Sequence, residues 1–217
     1  MDSNNLIIFI VIGITVLVSW QGWQNRELFE RLKFQMSAIT QAKQYDRMLT
    51  SGFLHADSMH LFFNMFAFWI FAPVVLLIFS SLQFVLIYLA SILAGSLFSI
   101  LFHRKEGWYS AVGASGGVSG IVFSAIMIKP DMPLTLIFLP FFSFPGWAFA
   151  LVYLAYSMFG MKSRHDNIGH AAHLGGSVAG ILLTIGLMPH LIEQNSIYIL
   201  GMLIPIAIMG IFAYREK

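Results

Sequence analysis

The stretch Leu61-Phe-Phe-Asn64-Met-Phe-Ala-Phe-Trp-Ile-Phe-Ala-Pro73-Val-Val-Leu-Leu-Ile-Phe79 decides what kind of protein this is. It carries no charge and a single hydrogen-bonding polar side chain of amide type, Asn64. A helix that crosses a bilayer needs about 20 mostly apolar residues, so the run reads as a membrane span. Six further apolar runs fall at Leu6 to Trp20, Leu82 to Phe102, Ala111 to Ile128, Leu134 to Phe159, Ile168 to Met188 and Ile197 to Tyr214. In the fifth span by chain order, Pro140 and Pro145 break a helix locally. It therefore reads as a partly buried loop to about Phe144, followed by a span from Gly146 to Gly160.

The composition agrees. Of 217 residues, 58% are hydrophobic and 10% charged, with a mean hydropathy of +0.79, against roughly a quarter charged in a soluble domain. A soluble globular protein is excluded. Without cysteine there is no disulfide, thiol nucleophile or thiolate metal site. A diffuse net charge of +2 does not make a nucleic-acid surface. No basic residue precedes the first run and no small-residue cleavage site follows it, so it reads as a retained helix with Trp20 and Trp23 as interfacial anchors. Between about 21 and 59, Leu28, Leu32, Met36 and Ile39 recur at helical spacing among charges, which predicts an amphipathic helix in the interface plane. The expectation is one all-α integral membrane domain over 1–217, with an extra C-terminal helix at about 197–214. The short ends suggest no soluble regulatory domain.

Polar residues inside hydrocarbon are costly and usually mark function. Three clusters qualify: His55, His60 and Asn64 at the second span; Gly113-Ala-Ser115-Gly-Gly-Val-Ser119-Gly120 at the fourth; Gly169-His170-Ala-Ala-His173-Leu-Gly-Gly176 with Gly180 at the sixth. If successive spans alternate in direction, all three begin at one membrane face. A serine facing a histidine, with further donors nearby, supplies a nucleophile, a base and an oxyanion site. The pairs Gly113/Gly117, Gly116/Gly120 and Gly176/Gly180 are small-xxx-small spacings that let helix backbones approach. Taken singly, Ser115 reads first as a packing residue or helix cap rather than a nucleophile, and His60 with Asn64 at least as well as a satisfied polar contact.

Together, His55-Ala-Asp-Ser-Met-His60-Leu-Phe-Phe-Asn64, Gly113-Ala-Ser115-Gly116 and Ala172-His173-Leu-Gly-Gly176-Ser-Val-Ala-Gly180 resemble the rhomboid family of intramembrane serine proteases. The resemblance runs from about Arg47, similar to the arginine of that family's first loop, to Met188. Asp46 stands where a tryptophan is often found. The resemblance implies a six-helix bundle, here with one additional helix, and Ser115 as nucleophile with His173 as general base. His60 and Asn64 match oxyanion-side positions, with His55, Ser119 and His170 as secondary candidates. It implies no metal, no cofactor and no catalytic carboxylate, Asp166 lying in a loop before the sixth span. The implied partners are single-pass or multi-pass membrane proteins as substrates, within the lipid bilayer. Ser119 sits one turn after Ser115; Ser115 is favoured because its amide N–H lies before the helical hydrogen-bond ladder. Ser110, Ser115, Ser119, His170 and His173 are expected to line a water-admitting cavity.

Rival chemistries fit less well. No His-Glu-x-x-His occurs for a zinc enzyme, and no acidic residue lies within an apolar run for an aspartyl enzyme. A transporter would show paired broken helices or an inverted repeat. The remaining alternative is a catalytically inactive relative that binds or escorts membrane proteins. Orientation is contradictory: eleven of the twelve Lys and Arg residues fall on the cluster side, which the positive-inside rule makes cytoplasmic, whereas the resemblance implies an extracytoplasmic face. The expected location is the plasma (inner) membrane of a bacterium.

Overall fold

The computed structural model describes residues 3–136, 139–163 and 169–215, with side chains at 5–135, 141–161 and 169–207. Asp166 lies outside the described residues. Helix α1 is Ser3–Gln24, followed by α2 (Arg26–Leu32), β1 (Phe34–Gln35), α3 (Met36–Thr40), α4 (Arg47–Thr50) and a 3-10 turn, Ser51–Phe53. Then come α5 (Ser58–Leu76), α6 (Ser81–Phe102), β2 (Ser110–Ala111) and α7 (Ser115–Ile128). A hairpin of β3 (Pro133–Leu136) and β4 (Leu139–Pro145) leads to α8 (Gly146–Ser163), α9 (His170–Leu187), α10 (Leu191–Gln194) and α11 (Ser196–Arg215).

Local chemistry sets these starts. The Asp57 carboxylate accepts the His60 N–H at 2.8 Å and caps α5, while Ser80 and Gln83 form a reciprocal capping box on α6. Four helices are long and apolar enough to cross a membrane: Asn5–Gln24, Ser58–Leu76, Ser81–Phe102 and His170–Leu187. Ser115–Ile128, Gly146–Met161 and Ser196–Ala207 are shorter apolar helices. The chain is an all-α membrane bundle.

Two expectations change. The loop after α7 is an antiparallel hairpin pairing Leu134 with Phe144 and Thr135 with Ser143. The 21–59 segment is not one amphipathic helix. Phe34 and Gln35 leave the helical path to pair with Ala111 and Ser110, and Phe34, Met36, Ile39 and Met48 bury together as a separate small core. Arg47 holds this loop from within, donating from Nη1 to the carbonyls of Glu30 (2.7 Å) and Lys33 (2.9 Å) and from Nε to Gln44 (2.6 Å). Asp46, in the unusual position, pairs with Arg31.

The centre of the bundle is α7, buried continuously from Gly116 to Met127. Its 14 residues reach about 21 Å at 1.5 Å each, short of the ~30 Å hydrocarbon layer. It is enclosed by neighbours, and α9 lies directly against it: a Cβ on Gly176 would overlap the Gly116 carbonyl, and one on Gly180 the Gly120 carbonyl. Gly175 meets α6 in the same way, 2.6 Å from the Ala94 oxygen. Deeper along the interface, Thr184 donates to Ser124 at 2.8 Å, and Ser124 donates to the Gly180 carbonyl at 3.3 Å. Gly176→Val is expected to cost at least about 3 kcal/mol, because backbone rather than a movable side chain blocks the methyls. Gly186→Val, which meets open space, should be close to neutral in the same detergent unfolding measurement.

Candidate functional site

The three polar clusters converge at the starts of α5, α7 and α9. Gly113 (φ 133°) turns the chain into α7, a conformation that favours glycine. A Cβ there would sit 2.8 Å from His60 Nε2 and 3.7 Å from Ser115 Oγ, so one small open face separates those two side chains. On the other side, Gly116 approaches the Ala172 carbonyl, a prospective Cβ lying 3.4 Å from it. Ser115 and His173 thus flank a direct backbone contact between two first turns. The first ladder bond of α7 runs from Val118 N–H to Ala114 O, so the amides of Ser115, Gly116 and Gly117 precede it and point outward with the positive end of the helix dipole.

His55 is fully buried and its tautomer follows from its partners. The Ala114 N–H donates to Nε2 at 3.2 Å, leaving Nδ1 to carry the proton and donate to Ser19 Oγ at 2.9 Å. Ser19 in turn donates to the Phe53 carbonyl at 3.0 Å. This chain ties α1 to the residue just before Ser115. Trp23, expected as an interfacial anchor, donates its indole N–H to the His55 carbonyl at 2.8 Å. His60 packs edge-on to His55 with ring centroids 5.0 Å apart. Asn64 is buried one turn further on and spends one amide hydrogen on the His60 carbonyl at 2.9 Å.

The remaining candidates separate. His170 is buried against α8, where Gly160 leaves the notch its ring fills and Tyr156 meets it edge-on at 5.1 Å. Ser119 donates to the Ser115 carbonyl at 2.6 Å and lies 2.5 Å from the Tyr153 hydroxyl. A cavity of about 30 Å³, room for at least one water, opens beside Ser115, with Ser51, Ser96 and Ser99 among its lining residues. Of the five residues expected along it, Ser115 alone is among its lining: Ser119, His173 and His170 pack against Tyr153 and Tyr156 of α8, and Ser110, in β2, pairs with Gln35. Tyr153 and Ser19 were not legible as site residues: each looks like one more residue of an apolar helix.

The Rhomboid domain family model matches residues 42–190. The chain belongs to the rhomboid family. It is 31% identical over 180 residues to "Rhomboid protein 1, mitochondrial" of Saccharomyces cerevisiae, covering 81% of this chain and 51% of that protein. It is 32% and 31% identical over 135 residues to "Presenilin-associated rhomboid-like protein, mitochondrial" of Rattus norvegicus and Homo sapiens, covering 62% of this chain and 36% of each. This rhomboid chain therefore spans about half the length of the yeast relative and about a third of the mammalian ones. Their mitochondrial names do not fit the bacterial plasma membrane expected from the sequence; what stands is an integral membrane protein.

Burial, with the neighbouring His60 adding to it, pushes the His55 pKa down to about 3, against a smaller opposing pull from Asp57. The folded chain refuses a proton that the unfolded chain accepts below about 6.5, so this contribution is complete above pH 6.5 and is lost as the pH falls toward 3. The difference in stability between the parent and His55→Gln should shrink by up to about 1.4 kcal/mol per pH unit across that window. Chemical unfolding at pH 7.5, 6, 5 and 4 checks this.

Proposed function

We propose that this rhomboid is an intramembrane serine endopeptidase that cleaves membrane-protein substrates through Ser115 and His173. What supports the reading is the close backbone approach of α7 and α9 at Gly116, Ala172 and Gly176, Gly116 being next to Ser115 at the start of α7 and Ala172 next to His173 in the first turn of α9. His173 takes the Ser115 hydroxyl proton as Oγ attacks the scissile carbonyl. The outward amides of the first turn of α7, with His60 and Asn64, stabilise the oxyanion. His173 then returns the proton to the leaving amine, and water releases the acyl group.

A substrate helix hides its carbonyls in its own hydrogen bonds, so the substrate must unwind locally before Ser115 reaches it. Segments weakened by glycine, proline or polar residues fit that requirement. The partners are single-pass or multi-pass membrane proteins within the bilayer. The site needs no cofactor for these steps.

Reporter cleavage in proteoliposomes tests the reading. Ser115→Ala should abolish cleavage, and Asn64→Ala should lower turnover on the order of a hundredfold. A folded Ser115→Ala variant that cuts at the parental rate refutes the assignment. A parent that binds the reporter without cutting it points instead to an inactive, membrane-protein-binding relative.

A further inference from the structure

We propose that Tyr153 of α8 is a positioning residue that braces both sides of the site, orienting the His173 imidazole with its ring and the first turn of α7 with its hydroxyl. The inference rests on the reading of Ser115 and His173 as nucleophile and base. The ring of Tyr153 lies nearly parallel to that of His173, with centroids 5.7 Å apart and planes at 22°. Phe123 (5.8 Å) and Phe149 (6.0 Å) pack on the same tyrosine and fix its plane.

The hydroxyl end has a defined direction. Ser119 gives its only proton to the Ser115 carbonyl, so in the 2.5 Å contact between the hydroxyls Tyr153 is the donor and Ser119 the acceptor. The relay runs from Tyr153 to Ser119 to the carbonyl of the nucleophile's own residue. One side chain from a third helix thus touches the base by its face and the nucleophile's backbone through a single intermediate. The parallel aromatic face also favours an imidazolium over a neutral ring, which is the state His173 passes through when it accepts the serine proton. Ser119 acquires a role in this arrangement that is not nucleophilic.

The test is the rate of labelling by a fluorescent fluorophosphonate as a function of pH, per folded molecule, for the full chain in detergent. Tyr153→Phe keeps the ring and removes the relay: labelling should slow about fivefold, one hydrogen bond's worth, with the pH midpoint unchanged. Ser119→Ala removes that bond and the one to the Ser115 carbonyl as well, so it should slow labelling at least as much, and the double variant should be no slower than Ser119→Ala alone. Tyr153→Leu should slow labelling about tenfold or more and move the midpoint of the acid limb. If Tyr153 merely fills space, Tyr153→Phe and Ser119→Ala label at the parental rate, and Tyr153→Leu changes only the folded yield; that result overturns the proposal. A folded parent that does not label at any pH instead overturns the serine–histidine reading, and the brace with it.

Discussion

Everything at this site depends on how closely α7 and α9 approach. Without a hydrophobic driving force between helices in lipid, association rests on packing and hydrogen bonds, and here it is obtained by stacking backbone on backbone at Gly116 with Gly176 and Gly120 with Gly180. The same approach puts Gly116 against Ala172, and hence the neighbours Ser115 and His173 at one depth. The buried Thr184, Ser124 and Gly180 hydrogen bonds hold the register of the two helices further along. A glycine contact is therefore both a backbone-to-backbone joint of the fold and the source of the site's geometry.

Around that joint, the other helices control what the two first turns look like. α1 reaches the residue before Ser115 through Ser19 and His55, and α5 brings His60 to the open face of Gly113. α8 closes the remaining side with Tyr153 and the notch for His170. Helix α11 and the residue before it back this arrangement from the far end: Asn195, between α10 and α11, donates to the Met127 carbonyl at the end of α7, and Tyr198 of α11 donates to Asp131 and packs near Trp147 at the start of α8. The additional helix is thus tied to both ends of the segment joining α7 to α8.

The helices were legible because membrane spans announce themselves by length and hydropathy, and the start of α8 because Pro145 cannot continue a helix backwards. The three polar clusters were legible because hydrocarbon leaves few reasons to keep histidine, asparagine or serine. The first loop was misread because Leu28, Leu32, Met36 and Ile39 do follow a helical period, while the pairing of Phe34 with Ala111 that interrupts it is set 77 residues away. Ser19 and Tyr153 were missed for a related reason. Serine and tyrosine are ordinary in apolar helices, and their partners His55 and Ser119 lie 36 and 34 residues distant. Local pattern reveals which residues are out of place, whereas long-range contacts decide which ordinary residues serve them.

The central claim is that a single serine, at the first residue of α7, is activated by the histidine in the first turn of α9. Peptide mapping by mass spectrometry of the fluorophosphonate-treated protein addresses it directly, with His173→Ala treated in parallel. The account predicts one phosphonyl adduct, on Ser115, that is lost in His173→Ala. An adduct on Ser119, or a Ser115 adduct that persists undiminished without His173, contradicts it.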